Sequence, residues 1–525
     1  MPNRAGPARG ISILLAALWC VHGAAAQATD DPLSAIDWLN APQVGVQPRA
    51  LPRSTVPSDT TPRIAETPVS PSANAPQVLV TPLDAPRADA VGLLPGAVTG
   101  LPASLWRASD SATLQTLIAA QDTSGQPAMT ALYFTLLLAE AEAPRDAGPD
   151  PQLLLARIDA LIRLGAVAPA RALLERAGTD TPQAFARYAE IDLLTGTGDS
   201  ACLALAAGPH LSSDPALQVF CAARGGDWVQ ADTILRGARA LALIPDRRAA
   251  LLEHFLEPEM GDTDAGDLSP PVRPSALEFR LYEAIGAALP TVPLPRAFAV
   301  TDLGGDSGWK AQIEAAERLT RAGALPENQL LGIWTARQPA ASGGVWDRVE
   351  AVQRFDVALS RRDPTAVTRE LPRVWAQMQA AGLQVAFARL FGGALLDVTL
   401  TGTSEKIAIN VALLSPDYER AAERTDDALL AGIARGDLTG VTATGDQAEA
   451  IVRAWNGATP PDRLAQLLTE GKLGEALLRA MALYGQGAQG DPAQITDALA
   501  TLRAVGLEDT ARRAALQLVL LYGPT

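Results

Sequence analysis

Residues 150–182 read DPQLLLARIDALIRLGAVAPARALLERAGTDTP, and this stretch decides the fold. Leu153, Leu154, Leu155, Ile158, Leu161, Ile162 and Leu164 recur at the spacing that gathers apolar side chains into a wide stripe on a helix. Gly165 breaks the stripe, and residues Ala170 to Ala177 form a second, shorter helix. The stretch opens on Asp150-Pro151 and closes on Thr181-Pro182. Asp or Thr accepts the orphan N–H groups of a first turn, and proline, with a fixed φ and no donor, suits the next position. The pair returns at Asp214-Pro215, so the intervals are 31 and 33 residues. Near-constant spacing of that unit predicts stacked helical hairpins. An antiparallel bundle with Ala-rich crossings is the alternative, and either fold is all-α.

The 150–182 unit resembles a tetratricopeptide repeat. In that family a turn glycine is followed by small residues five and twelve positions later, where two helices cross closely, and by proline seventeen later. Gly165 is followed at those offsets by Ala170, Ala177 and Pro182. The chain departs from the pattern at Leu154 and Ile158, where the family prefers an aromatic residue and a glycine. Gly198 keeps Pro215 but has Leu203 and His210 at the small positions, whereas Gly226 keeps Ala231 and Ala238 without the proline. The resemblance implies about three degenerate repeats over 150–245, with looser echoes at Gly471/Ala476 and Gly506/Ala511, and a surface that binds other proteins.

The N-terminus points to export. Arg4 and Arg9 precede an apolar run from Ile11 to Val21, too short to span a bilayer, and Ala26-Gln27-Ala28 offers small residues for signal peptidase. Cleavage is expected between Ala28 and Thr29. Trp19 stands before Cys20, where a lipobox needs a small residue, so lipidation is not expected. Lys310, Lys406 and Lys472 are the only lysines among 43 basic residues, a composition of GC-rich bacterial genomes, and no N-glycosylation sequon occurs. The expected compartment is a bacterial periplasm. The net charge of −15 becomes −17 on loss of Arg4 and Arg9, with 41 basic against 58 acidic residues remaining. Such a chain repels nucleic acid and anionic lipid, and neither is an expected partner. Eleven prolines between 32 and 86, mixed with Ser, Thr and Ala, predict a disordered leader over 29–90 that either gives reach or is merely tolerated.

The remaining chain reads as two helical blocks, 91–256 and 275–525. Gly92-Leu93-Leu94-Pro95 and Gly100-Leu101-Pro102 form an apolar entry, with Leu105 and Trp106 placed to lay it on the first helices. The linker at 257–274 follows from six acids between Glu253 and Asp267 with no Lys or Arg, and from Pro270, Pro271 and Pro274. Asp262-Thr-Asp264-Ala-Gly266-Asp267 resembles an EF-hand loop only superficially, because glycine sits at the fifth place and Arg273 at the twelfth, where Glu is needed. Asp363-Pro364 and Asp491-Pro492 continue the cap-and-proline construction in the second block. Around Gly402, Leu395–Leu400 and Ile407–Leu414 fit a short hairpin or a helix with an irregular turn.

Catalytic signals are scarce. Gly305-Asp306-Ser307-Gly308 spells the nucleophile tetrapeptide of trypsin-like serine proteases. Those enzymes are double β-barrels with a histidine base, whereas His210 and His254 both fall in helical stripes here, so a loop and N-cap before a helix at Trp309 is the expected reading. Gly343-Gly344 lacks the Lys and hydroxyl of a phosphate loop. Two histidines and two mature cysteines do not readily build a structural zinc site, so no metal, cofactor or catalytic residue is assigned. Cys202 and Cys221 fall on neighbouring helices of consecutive hairpins and in an oxidising compartment favour a disulfide over two buried thiols.

The function these readings predict is a non-enzymatic periplasmic scaffold or assembly factor that binds protein or peptide partners of the envelope through a helical-repeat surface. Its layout of signal peptide, leader and helical body is similar to that of periplasmic flagellar-motor chaperones of alphaproteobacteria. The alternative is a cell-envelope enzyme acting on peptidoglycan, resembling lytic transglycosylases in their helical superstructure. No Glu-Ser pair of the kind those enzymes use occurs in this chain.

Overall fold

Helix starts and stops set the architecture. The computed structural model describes residues 87–196, 198–257, 268–304 and 307–522, and it is all-helical, with no strand among those residues. The expected cleavage site Ala28/Thr29, nearly all of the leader and the Asp262–Asp267 loop lie outside them. Thr181 accepts the amide of Ala184 at 3.3 Å, Asp214 that of Ala216 at 3.0 Å, and Asp491 that of Ala493 at 3.2 Å. Asp363 accepts two amides, Thr365 at 3.0 Å and Ala366 at 3.1 Å. In each case proline opens the helix. Asp150 departs from the expectation. Its helix, Gln152–Leu164, starts one residue later with Pro151 at the cap, and only the Asp150 carbonyl is used, accepting the Gln152 amide.

The hairpins follow as Gln152–Leu164 with Val167–Ala177, Pro182–Leu194 with Asp199–Ala207, and Pro215–Arg224 with Trp228–Ala240. Each helix packs on its chain neighbour. In addition Gln152–Leu164 packs on Pro182–Leu194, and Pro215–Arg224 on the Asp246–Leu256 helix. The 395–414 interval resolves to the helical alternative: Gln384–Leu395 ends, an irregular turn follows, and Gly402–Leu413 is helix. Its buried residues, Ser404, Ala408, Val411, Ala412 and Leu413, stand three or four apart or adjacent, a helical and not an alternating pattern.

Two apolar cores form. Trp309, Ile313, Trp334, Val349, Phe355, Leu371, Phe387 and Val411 belong to a core built from 299–414. The other takes residues from 101–298 and again from 396–518, so the chain returns to its beginning. Leu252 and Ala276, on either side of the expected 257–274 linker, share this second core.

The return is held by specific contacts. The Gln517 carboxamide oxygen accepts the Ala128 amide at 2.7 Å in the first turn of helix Pro127–Leu138, and Gln121 donates to the Leu478 carbonyl at 3.0 Å. The Gly474 amide donates to Leu105 at 3.1 Å. A Cβ on Gly474 would fall 2.3 Å from the Trp106 ring, so only glycine lets this indole lie on helix Leu473–Ala488. Trp106 therefore anchors the entry to helix Leu473–Ala488, far along the chain.

At the other edge of the entry, Arg157 projects from helix Gln152–Leu164 and is fully buried. Its guanidinium donates to the carbonyls of Leu137 at 2.7 Å, Val91 at 2.8 Å and Ala139 at 3.0 Å. Buried Asp89 accepts the Leu154 amide at 2.8 Å. Burial pulls the Arg157 pKa down to about 10, opposed by the negative charge of Asp89, and it pushes that of Asp89 up. Arg157→Met would take this donor from the buried carbonyls of Leu137 and Ala139 and from the half-buried carbonyl of Val91. Its removal is expected to cost about 3–5 kcal/mol, the scale for breaking a buried charged group from its partners, measurable as a lower urea midpoint.

Candidate functional site

Among the residues assigned from sequence, Gly165 ends helix Gln152–Leu164 at φ +83°, with its N–H on Ile162 and the next amide on Leu161. A Cβ there would fall 2.5 Å from Leu319, so a distant helix, Trp309–Arg321, is seated on this turn. Ala170, Ala231 and Ala238 are buried at helix crossings and Ala177 is half-buried. Pro182 and Pro215 are the first residues of their helices, and Gly226 takes φ +83° in the turn before Trp228–Ala240. Asp192, buried on Pro182–Leu194, accepts the Ala201 amide at 2.9 Å and Arg171 at 3.3 Å, tying the second hairpin to the first.

Cys202 on helix Asp199–Ala207 and Cys221 on helix Pro215–Arg224 stand at disulfide distance, with Cα atoms 5.0 Å apart. The pair staples the second hairpin to the third. Of ten exposed large hydrophobic residues among those described, five, Leu203, Trp228, Val229, Leu241 and Leu243, belong to these two hairpins and the turn after them. Trp228 lies against Phe255, at 6.4 Å between ring centroids, and Phe255 stacks on Phe220 at 5.8 Å. The indole is thereby held from behind while half of it stays open to solvent.

Of the tetrapeptide at 305–308, Ser307 and Gly308 lie among the described residues. Ser307 donates to Asp302 at 3.3 Å, and Gly308, not Ser307, caps helix Trp309–Arg321 without a side-chain bond. His254 lies on helix Asp246–Leu256, and His210 sits in a 3-10 turn, Pro209–Leu211, a correction to its expected place in a helical stripe. Among the described residues no cluster of His, Cys, Asp and Glu could hold a metal ion. No described helix is long and apolar enough to cross a membrane.

Two open clefts of similar size differ in charge. One, about 630 Å³, lies along helices Val345–Ser360 and Pro364–Ala381, where Arg354, Arg361, Arg369 and Arg373 face Glu350, Asp363 and Glu370. The other, about 620 Å³, is lined by Arg163, Arg296, Arg318 and Arg321 with a single carboxylate, Asp122. Neither set was singled out in the sequence: the first lies within 350–373 on two helices that read as solvated, the second is gathered from positions between 122 and 321, and arginine is common throughout.

Compared with known proteins, the chain matches no family model, no curated protein and no solved structure.

A peptide map of unreduced protein should contain the Cys202–Cys221 cross-linked peptide, and Cys202→Ser should lower stability by about 3 kcal/mol on the chain-entropy model for a loop of this length. Free thiols at both positions in the unfolded, unreduced chain would contradict the pairing.

Proposed function

We propose that this chain is an exported, non-enzymatic scaffold that binds a protein of the bacterial envelope through its helical hairpins, which form a degenerate tetratricopeptide-like solenoid. One observation carries the reading: among the described residues, half of the exposed large hydrophobic residues fall between 203 and 243, on the hairpins joined by the cysteine pair and in the turn that follows them. Burying apolar surface at an interface is the main gain available to such residues, and a tryptophan backed by other rings has the character of a binding hot spot. The packing of Gln152–Leu164 on Pro182–Leu194, and of Pro215–Arg224 on Asp246–Leu256, supports stacked hairpins. The charged, apolar and small-residue order of residues 1–28 supports export to the periplasm.

Two experiments test this. Edman sequencing of the protein recovered from the periplasm is expected to begin at Thr29, and recovery of intact chain in the cytoplasm would contradict export.

For binding, in-cell cross-linking is expected to capture a partner with the native chain and to lose at least tenfold of it with Trp228→Ala combined with Val229→Asp. Ser307→Ala and His254→Ala are expected to complement a deletion strain fully. If either of those folded variants behaves like the deletion while the Trp228 variant does not, the enzyme reading replaces this one.

A further inference from the structure

The arginine-lined cleft is the feature this function does not use. Its walls come from four parts of the chain. Arg163 lies in the last turn of helix Gln152–Leu164, Arg296 opens the 3-10 segment Arg296–Leu303, and Arg318 and Arg321 share one flank of helix Trp309–Arg321. The loop Asp122–Gly125 closes the fourth side and adds the hydroxyls of Thr123 and Ser124.

The arginines are only partly used by the protein. Arg163 donates to Ile118 at 3.1 Å and also reaches the Tyr133 hydroxyl, and Arg321 donates once, to Ala381 at 3.0 Å. Arg318 donates to Thr291 at 3.1 Å and Leu294 at 2.5 Å. Arg296 makes no hydrogen bond or ion pair among the described residues, although Asp122 lies near enough to attract it. A guanidinium carries five donors, so most remain unpaired. The acids nearest the others are engaged elsewhere: Glu317 takes two bonds of 2.6 Å from Arg348, and Asp302 accepts from Thr291 and Ser307. Burial lowers the pKa of Arg296, Arg318 and Arg321, and mutual repulsion lowers those of Arg318 and Arg321 further. In a chain of net charge −15, four cations around one carboxylate in a cleft is a local reversal of sign that the fold maintains at a cost.

We propose that this cleft binds a small ligand carrying an oxyanion, phosphate or carboxylate, whose oxygens take the unpaired N–H groups of Arg296, Arg321 and Arg163. Arginine forks match both anions in bidentate geometry. At about 620 Å³ the cleft is of the size that holds a small organic molecule, so the anion is one end of a larger ligand. The ligand site is independent of the apolar hairpin surface and stands if that surface proves not to bind protein.

The test uses the full chain, with thermal unfolding and calorimetric titration against inorganic phosphate and against citrate, each compared with chloride at equal ionic strength. Phosphate and citrate stabilise many proteins by exclusion from the surface, so the difference between native chain and variant carries the result. Arg296→Gln removes no protein hydrogen bond, and without anion its midpoint is expected to equal or exceed that of the native chain.

With anion, Arg296→Gln and Arg321→Gln are each expected to weaken binding about tenfold and to lose most of the rise in midpoint. Arg236→Gln, on the exposed face of Trp228–Ala240, is expected to change neither. Response to phosphate alone identifies a phosphate ester, response to citrate alone a carboxylate, and either supports the site. No heat and no anion-specific rise in the native chain, or an equal response in Arg296→Gln, would overturn it.

Discussion

A single buried cation, Arg157, fixes the part of the structure on which the rest is assembled. Moving a guanidinium out of water is costly, and the cost is tolerable only if its donors are satisfied. Here the acceptors are carbonyls of two different segments: the entry at Val91, and the end of helix Pro127–Leu138 at Leu137 and Ala139. The helix carrying Arg157 therefore has one position relative to both. Asp89 completes the arrangement by capping the amide of Leu154 and placing negative charge near the guanidinium.

From that helix the order spreads in two directions. At its far end Arg163 and, from the neighbouring helix, Tyr133 both donate to the Ile118 carbonyl, at 3.1 and 2.6 Å, joining three helices at one oxygen. Burial raises the Tyr133 pKa to about 12, which keeps this hydroxyl a donor. Beyond it, Gly165 leaves room for Leu319, and buried Glu317, held by Arg348 and by Trp334 at 3.1 Å, fixes the helix that supplies Arg318 and Arg321. In the other direction Trp106 and Gln517 bring the last helices onto the first. The charged cleft is thus a consequence of how the chain closes.

Local physics was legible in the sequence. Cap residues followed by proline gave helix starts at Pro182, Pro215, Pro364 and Pro492, and apolar spacing gave most of the helices. The approach of Cys202 to Cys221 could be read because both positions lie on consecutive helices. Asp150 misled because proline took the cap position itself. The 395–414 interval stayed open because Ile407 and Val411 suit a strand and a helix equally until their neighbours are known. Arg157 was hidden for a different reason: an arginine inside an apolar stripe reads as a solvated residue, and its acceptors are carbonyls, which no side-chain pattern reveals. The arginine cleft and the return of the chain to its beginning share that property, resting on contacts up to 397 residues apart.

Native-state hydrogen exchange of the full chain tests the central claim most directly. If the Arg157 clasp holds the entry to the core, the amides of Leu93, Leu94, Glu140 and Leu154 should exchange only with global unfolding, at the rate of the deepest core amides. Exchange of these four through a cheap local opening, while Ile158 and Leu161 stay protected, would contradict it.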